Sequence, residues 1–317
     1  MVSYVVKGEG LRKVFESGLV LRRRITAVDG VDVEIGKGET LALVGESGSG
    51  KSTLGRLLLR LIEPTGGRIL FDGVDITRIG KKKLRKIRRK MQLIPQHPED
   101  ALDPRWKMYD CIAEPLRLHN LVDKAEEKEV VSRLLEMVGL QEEHLSRYPH
   151  ELSGGELQRV VIARAISLNP LFIVCDEPTS MLDVSVQASI LNLLVDLQRR
   201  FRLSYLFITH DLEVADTISR RIAVMYRGQI VEEGFKILDE PLHPYTEMLV
   251  RSVEMDKAVQ ESEMLKLLNL NNFQNAHQSQ GKCSFYHLCG KRMDRCWKQP
   301  EIVELSKKRK VRCWLYQ

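Results

Sequence analysis

The sequence predicts an α/β fold in which helices cover both faces of a mainly parallel sheet. Three short stretches are apolar without alternation, which indicates strands buried on both faces: "TLALV" (40–44), "LFIVC" (171–175) and "SYLFI" (204–208). The amphipathic helix pattern "VQASILNLLVDLQRRF" lies between the last two. Because buried strands that alternate with helices pair in parallel, these observations favour a parallel sheet.

The pattern changes along the chain around this sheet. Roughly the first 95 residues resemble short strands and turns, because "VDVEI" alternates and "GRILFDGVDI" is interrupted by Asp-Gly. From about residue 97 to 167 the apolar spacing becomes helical. The stretch "IAVMYRGQIVEEG" is typical of a hairpin with Gly228 near its turn. Residues 269–280 hold seven Asn or Gln in twelve positions, which predicts a linker.

The charge of the chain is uneven, and its composition is that of a folded protein without a membrane span. The net charge is +6, but residues 281–317 contain ten Lys or Arg against three Asp or Glu. No apolar run approaches the roughly 20 residues that cross a bilayer, and the N-terminus lacks the apolar core of a secretory signal. We therefore expect a cytoplasmic protein with reduced cysteines. The basic run "KKKLRKIRRK" (81–90) is more typical of a solvated helix face than of a nucleic-acid site.

A phosphate-binding loop follows the first buried strand. The stretch "GESGSGKST" matches G-x-x-x-x-G-K-[ST] and precedes the helix pattern "LGRLLLRLI". In this setting glycine backbone N–H groups surround a triphosphate, Lys51 reaches the β- and γ-phosphates, and Ser52 can ligate Mg²⁺. A merely tight glycine turn is the less favoured alternative. The predicted ATP-binding residues of the loop are Gly45, Glu46, Ser47, Gly48, Ser49, Gly50, Lys51, Ser52 and Thr53.

Acidic and basic side chains end the two later buried strands. Asp176 and Glu177 follow "LFIVC", and Thr209-His210-Asp211 follows "SYLFI". The carboxyl ends of parallel strands are where α/β sheets bind ligands. We expect Asp176 to hold Mg²⁺ through water, and Glu177 to orient the attacking water or accept its proton. His210 can then hydrogen-bond the γ-phosphate and the acid, although a single histidine is more often structural.

A second glycine-rich stretch, "LSGGELQRVVIARAI" (152–166), begins a helix. Ser153 and Glu156 form the S-x-x-E pattern of a capping box, and capping alone could explain both residues. It does not explain Gly154 and Gly155, because glycine in a helix costs roughly 1 kcal/mol relative to alanine. We therefore expect something to approach this backbone closely.

Over residues 3–250 the chain resembles the nucleotide-binding subunit of an ATP-binding cassette (ABC) transporter. The resemblance is carried by "GESGSGKST", Gln96, "LSGGE", "LFIVCDEP", "SMLD" and His210. The resemblance implies a P-loop NTPase (RecA-like) core, an N-terminal antiparallel β subdomain and an α-helical signature subdomain at about 97–167. It also implies that two subunits pair head to tail. The turn of Ser153, Gly154, Gly155 and Glu156 would then contact the ATP held by the partner. The family usually has Gln where this chain has Glu156.

The same resemblance assigns further residues. Gln96 matches a loop that senses γ-phosphate and Mg²⁺, so Mg²⁺ would be held through Ser52, Gln96 and Asp176. The implied catalytic set is Glu177, His210, Gln96 and Lys51. Asp183 matches the loop that signals across the dimer. Phe15 either stacks on adenine or is a core strand residue.

Four cysteines lie in the basic tail with the spacing C-x5-C-x6-C-x16-C, namely Cys283, Cys289, Cys296 and Cys313. Four thiolates suit zinc or an iron–sulfur cluster, and zinc sites commonly use closer pairs. Four free cysteines are the alternative. The chain resembles ATPase subunits of dipeptide/oligopeptide (peptide/nickel-type) importers in this tail and in two further stretches, "HPYTEMLVRSV" and "GRLLLRLIEPTGGRILFDGVDI". That resemblance implies a [4Fe–4S] cluster in the tail.

The expected organisation is a nucleotide-binding domain at 1–250, a helix and linker at 251–280 and a cysteine-rich tail at 281–317. The expected function is the ATP-hydrolysing motor of a peptide importer, bound peripherally to the cytoplasmic face of the membrane. Expected partners are a second ATPase subunit (a copy or a sibling), two transmembrane permease subunits and an extracytoplasmic substrate-binding protein, with no nucleic acid. Three alternatives remain. The same motor could import oligosaccharides or nickel, the chain could be a soluble ABC ATPase acting on nucleic acid or ribosomes, or the tail could have a redox role.

Overall fold

The computed structural model describes residues 3–17, 23–258, 281–305 and 309–317. The strands are β1 (Tyr4–Ser17), β2 (Arg23–Gly36), β3 (Thr40–Val44), β4 (Gly66–Phe71), β5 (Val74–Asp75), β6 (Met91–Ile94), β7 (Phe172–Asp176), β8 (Ser204–Ile208), β9 (Arg221–Tyr226), β10 (Gln229–Phe235), β11 (Val303–Leu305) and β12 (Arg309–Val311). The helices are α1 (Lys51–Leu58), α2 (Lys81–Arg88), α3 (Met108–Leu118), α4 (Lys124–Met137), α5 (Gly154–Ile166), α6 (Val184–Phe201), α7 (Leu212–Ile218) and α8 (Pro244–Ala258). Short 3-10 turns lie at Pro98–Ala101, Glu142–Ser146, Pro149–Glu151, Asp294–Trp297 and Trp314–Tyr316.

The larger sheet confirms the predicted parallel core. Its order within the described residues is β11-β12-β10-β9-β3-β8-β7-β6. The five strands from β9 to β6 are parallel, and every residue of β3, β7 and β8 is buried, as their unbroken apolar sequences predict. The sheet therefore brings the carboxyl ends of β3, β7 and β8 to one edge.

The hairpin prediction is also confirmed. Strands β9 and β10 pair antiparallel, and the two residues between them, Arg227 and Gly228, both have positive φ. A two-residue turn with this geometry matches the twist of the strands that it joins.

The smaller sheet is antiparallel and is formed by the N-terminal part of the chain, with the order β2-β1-β4-β5. Its inner side chains pack with α1 and the main sheet in one apolar cluster that includes Val6, Ile35, Leu57, Ile69 and Leu206. This sheet is the β-rich region that the sequence predicts.

Helices α3, α4 and α5 form a second layer that packs on the other face of the main sheet. Their buried side chains join those of α6 in one cluster, which includes Ile112, Leu135, Val161, Ile173 and Leu194. Within the described ranges, no helix combines the length and the apolar character needed to cross a bilayer.

The tail extends the main sheet, a placement that the sequence analysis did not predict. Strand β12 pairs antiparallel with β10, and β11 pairs with β12. Phe285, Cys283 and Cys296 pack with Tyr226 and Tyr245 in a third apolar cluster. The stretch 269–280, predicted to be a linker, lies outside the described residues.

The prediction of a four-cysteine metal centre is wrong. In the part of the chain that the structure describes, no group of three or more His, Cys, Asp or Glu side chains could hold a metal ion, so neither a [4Fe–4S] cluster nor zinc is supported. Instead, Cys283, Cys296 and Cys313 are buried free thiols, and Cys289 is half-buried. Burial raises the pKa of Cys283 to about 11, and it also raises the pKa of Cys289 and Cys313. The spacing was misleading because neutral thiols pack well beside apolar side chains.

Candidate functional site

The phosphate loop joins β3 to α1, as predicted, and its backbone leaves no room for a side chain at Gly45 or Gly50. At Gly45, φ is +147° and an added Cβ would overlap the carbonyl oxygen of Met225. The Lys51 ammonium donates to the loop's own carbonyls, at 2.6 Å from Gly45 O and 2.9 Å from Glu46 O. Burial lowers the pKa of Lys51, although nearby carboxylates oppose this shift. The hydroxyl of Ser49 is buried without a hydrogen-bond partner among the described residues, which suits a loop that binds a polar ligand.

Ser52 and Asp176 meet at the start of α1 and the end of β7. The Ser52 hydroxyl donates to Asp176 Oδ1 at 2.8 Å. Desolvation raises the pKa of the buried Asp176, and the bond from Ser52 opposes that shift. A hydroxyl and a buried carboxylate are a donor set that fits Mg²⁺, which prefers oxygen ligands.

Glu177, Gln96 and His210 converge beside that pair. Gln96 Nε2 donates to Glu177 Oε2 at 3.1 Å, and His210 Nδ1 lies 3.2 Å from the same oxygen. Glu177 has φ of +49°, a left-handed conformation that is uncommon for a non-glycine residue. Its N–H donates to Ile208 O at 3.0 Å, which ties the start of the connection between β7 and α6 to the end of β8. Such strain is typical of functional positions.

The second glycine-rich turn begins α5, and the predicted capping box is confirmed. The Ser153 N–H and hydroxyl donate to Glu156 Oε2, at 2.8 and 2.7 Å, and the Glu156 N–H lies 3.4 Å from Ser153 Oγ. His144 Nε2 lies 3.2 Å from Glu156 Oε1. In the described chain, no hydrogen bond or ion pair joins Ser153–Glu156 to the phosphate loop. The structure therefore brings together the loop, Asp176, Glu177, Gln96 and His210, and leaves this turn apart from them.

The remaining predicted residues lie in structural positions. Asp183 is the N-cap of α6 and accepts a hydrogen bond from Val186 N at 3.0 Å, which lowers its pKa. Phe15 lies on β1 with 42% of its surface exposed, so it is not a core residue. Lys13 Nζ lies 5.0 Å from the centroid of the Phe15 ring.

Sequence reasoning missed two residues that touch these sites. One is His144, the neighbour of Glu156. The other is Tyr245, whose hydroxyl accepts a hydrogen bond from Glu46 N in the phosphate loop at 3.1 Å. The signal for Tyr245 was a His-Pro-Tyr triplet before a helix pattern. Tyr245 lies 199 residues from Glu46 in the sequence, and His144 lies 12 residues from Glu156, so a motif of a few residues links neither pair.

A phosphate loop after β3, two acids at the end of β7 and a helix-capping glycine turn define a nucleotide-binding α/β domain. Residues 28–180 match the ABC transporter family model, and residues 231–296 match the C-terminal region of oligopeptide/dipeptide transporters. The oligopeptide transport ATP-binding protein AppF of Bacillus subtilis is 44% identical over 306 residues, which cover 95% of this chain and 93% of AppF. The chain therefore belongs to the ATP-binding subunits of ABC transporters, an ATPase family, and it carries the C-terminal region of the oligopeptide/dipeptide type.

Another relative is about twice as long as the region that it shares with this chain. The glutathione import ATP-binding protein GsiA of Escherichia coli K12 is 47% identical over 285 residues. The match covers 86% of this chain but only 46% of GsiA, so the chain spans about half the length of that relative.

Among solved structures, the dimeric cassette MJ0796 bound to ADP and phosphate aligns with a TM-score of 0.66 at 31% identity, over 73% of this chain and 98% of that one. CbiO1 of Clostridium perfringens, part of the ABC transporter complex cbiONQ, aligns with a TM-score of 0.66 at 26% identity, over 85% of this chain and 96% of that one.

Proposed function

We propose that the chain is the ATP-hydrolysing subunit of an ABC importer for small peptides. The observation that carries this proposal is the position of Glu177, which is contacted by Gln96 and His210 next to Ser52 and Asp176. An acid held beside a phosphate loop can polarise a water for attack on a phosphoryl group. We assign residues 1–250 to this catalytic unit and residues 281–317 to a C-terminal region that completes its sheet.

Glu177 is the general base in this proposal. Gln96 and His210 both contact Oε2, and no described residue donates a hydrogen bond to Oε1. Oε1 is therefore the oxygen that orients the attacking water and accepts its proton. Gln96 and His210 hold the carboxylate in place, and His210, with 61% of its side chain exposed, can also reach the γ-phosphate.

The phosphate loop binds the triphosphate in this proposal. Lys51 exchanges its two backbone carbonyl partners for the β- and γ-phosphates, and the backbone N–H groups of the loop surround them. Ser52, Asp176 and Gln96 would hold Mg²⁺, which supplies neutralisation of the phosphate charge when bound. The adenine would stack on the exposed ring of Phe15.

The glycine-rich turn serves a second ATPase subunit. Its separation from the loop of its own chain supports a contact with nucleotide held by a partner, either a copy or a sibling. The N-terminus of α5 presents backbone N–H groups and Ser153, which suit a phosphate. Asp183 would sit near this interface.

We further propose that the ATPase works at the cytoplasmic face of the membrane with two permease subunits and an extracytoplasmic binding protein. A cavity of about 380 Å³ lies between α2, α3 and the end of α5. It is lined by Leu93, Pro115, Arg85, Arg88 and Arg164, and by Glu114, which pairs with Arg164 and leaves the two arginines of α2 for a partner. The strand β6 that passes this cavity leads directly to Gln96. An amphipathic permease segment with an acidic end would fit it, and its motion would reach the catalytic site through that strand.

Small peptides are the favoured cargo because of the two relatives that cover most of this chain. One is named for oligopeptide transport and the other for glutathione import, and glutathione is itself a tripeptide. Uptake of labelled di-, tri- and oligopeptides in a strain lacking the chain tests this assignment, with an oligosaccharide and nickel as comparison cargoes.

Replacing the proposed base tests the catalytic assignment. Glu177→Gln keeps the shape and the contacts of the side chain but cannot accept a proton, so we expect ATP binding to persist while hydrolysis falls by at least about 100-fold. The measurements are equilibrium binding of labelled ATP and steady-state phosphate release with Mg²⁺. The exposed Glu142→Gln, in the helical layer, is the matched control and should hydrolyse ATP normally. Normal turnover by Glu177→Gln would remove Glu177 from this role.

A further inference from the structure

The first peptide of the phosphate loop is held from both sides. The Glu46 N–H donates to the hydroxyl of Tyr245 at 3.1 Å, and the Gly45 carbonyl of the same peptide accepts from Lys51 Nζ at 2.6 Å. Lys51 has to leave this carbonyl in order to reach a bound phosphate. The contact from Tyr245 does not depend on Lys51, so it can hold the peptide while the lysine moves.

Tyr245 is itself rigidly placed. It is fully buried near the start of α8, and its ring centroid lies 4.5 Å from that of Tyr226 and 5.5 Å from that of Phe285. Tyr226 ends β9, the strand beside β3, and β3 leads into the phosphate loop. Phe285 belongs to the C-terminal tail. One tyrosine therefore connects the nucleotide loop to residues far along the chain.

The tail also fixes the segment that precedes Tyr245. Glu232 is fully buried on β10, where it accepts hydrogen bonds from Leu242 N at 3.0 Å, His243 N at 2.9 Å and Arg309 Nη2 at 2.6 Å. The Tyr316 hydroxyl donates to Leu242 O at 3.1 Å. Residues from two parts of the tail thus converge on the turn that carries Tyr245.

We propose that Tyr245 is a positioning residue for the phosphate loop, and that the C-terminal tail sets the affinity for ATP by holding Tyr245 in place. This inference rests on the proposed function, since it assumes that the loop binds ATP. A loop that is already ordered loses less conformational entropy when it binds a ligand. The tail therefore acts on binding, while Glu177, Gln96 and His210 act on hydrolysis.

The test is Tyr245→Phe, which removes one hydroxyl and keeps the ring. We expect the Kd and KM for ATP to rise about three- to tenfold, as the loss of one hydrogen bond implies, with kcat changed less than about twofold. The control is Tyr205→Phe. Tyr205 is also fully buried in the main sheet and donates to Leu194 O at 3.1 Å, but it does not touch the loop. It should lower thermal stability similarly and leave Kd unchanged.

A second pair of variants tests the role of the tail. Phe285→Leu loosens the packing on Tyr245 and should raise Kd in the same direction, whereas Trp297→Leu should not. Trp297 is an exposed tail aromatic that contacts Tyr286 and Lys282.

Equal Kd values for wild type and Tyr245→Phe would overturn the positioning role, and a rise in Kd confined to Tyr245→Phe would overturn the role of the tail. A wild-type chain that bound no ATP would remove the proposed function itself. That result can be told apart from the other two, because the positioning role and the tail role are both judged by the Kd of a variant relative to the Kd of a wild type that binds ATP.

Discussion

Glu156 determines the hydrogen bonding of the turn that would face the partner's nucleotide. Its Oε2 accepts from both the N–H and the hydroxyl of Ser153, and its Oε1 lies 3.2 Å from His144 Nε2. The hydroxyl of Ser153 therefore donates within its own chain, and it would have to leave Glu156 in order to donate to a partner's phosphate. These bonds, first of all the one from Ser153 N, lower the pKa of Glu156. The Glu156 carboxylate thus stabilises the conformation of this turn and also places a negative charge in it.

Two substitutions of Glu156 separate capping from charge. Glu156→Ala loses the cap and should lower the free energy of unfolding by about 1 kcal/mol, whereas Glu156→Gln keeps an oxygen acceptor and should lose less than about 0.5 kcal/mol. Urea unfolding at pH 7 measures both. Identical losses would show that the carboxylate does not cap the helix.

The stability that the Glu156 carboxylate contributes should depend on pH. Because its pKa is lower in the folded protein, the contribution is fully present above the unfolded pKa of about 4.3 and is lost as the pH falls through the lower, folded value. The difference in unfolding free energy between wild type and Glu156→Gln should therefore shrink in acid. An unfolding series from pH 7 to pH 3 checks this, and a difference that grew in acid would contradict it.

The contact of α5 with α6 explains one of the two glycines of the turn. An added Cβ on Gly155 would lie 2.5 Å from Val186 Cγ1 on α6. An added Cβ on Gly154 would meet only Leu182 Cδ2, at 3.4 Å, which is an ordinary contact. The expectation that something approaches this backbone closely is thus met at Gly155 by the chain's own next helix. Packing within the chain does not require glycine at Gly154.

The two glycines should therefore respond differently to alanine. Gly155→Ala should lower the free energy of unfolding by about 1–3 kcal/mol through overpacking, whereas Gly154→Ala should stay within about 1 kcal/mol of wild type. If the turn contacts a partner's nucleotide, Gly154→Ala should also slow ATP hydrolysis without loss of stability. Chemical denaturation and phosphate release measure the two effects. Normal hydrolysis by Gly154→Ala would argue against a close phosphate contact there.

The tail is joined to the molecule by a buried ion pair at the edge of the main sheet. Arg309 on β12 donates to Glu232 at 2.6 Å and also to the carbonyl of Glu240, and both side chains of the pair are buried. A buried pair contributes little in comparison with apolar side chains, but the loss of one partner is costly because the other charge remains. This pair therefore holds the C-terminal region together with the pairing of β12 with β10 and the packing of Phe285.

Arg309→Met should weaken the attachment of the tail. We expect a loss of about 3 kcal/mol in unfolding free energy, because Glu232 keeps its backbone partners but loses its cation. Lys310→Met is the matched control, since Lys310 is half-exposed and lies 4.0 Å from Glu233, and it should cost less than about 1 kcal/mol. Urea unfolding and the rate of tryptic release of residues 281–317 report both effects. A tail equally protected in both variants would rule out this anchoring role.

The sequence alone determined the parallel core, the hairpin around Gly228, the phosphate loop and the acids at the end of β7. These features depend on local patterns, namely apolar runs, turn residues and short motifs, which act within a few residues of the chain. Only the tertiary structure decided what the tail does. It placed β12 beside β10, brought Tyr245 to Glu46 across almost 200 residues, and turned the tail cysteines into packing residues instead of metal ligands. Contacts of that kind depend on burial and on distant partners, and spacing along a chain does not encode either of them.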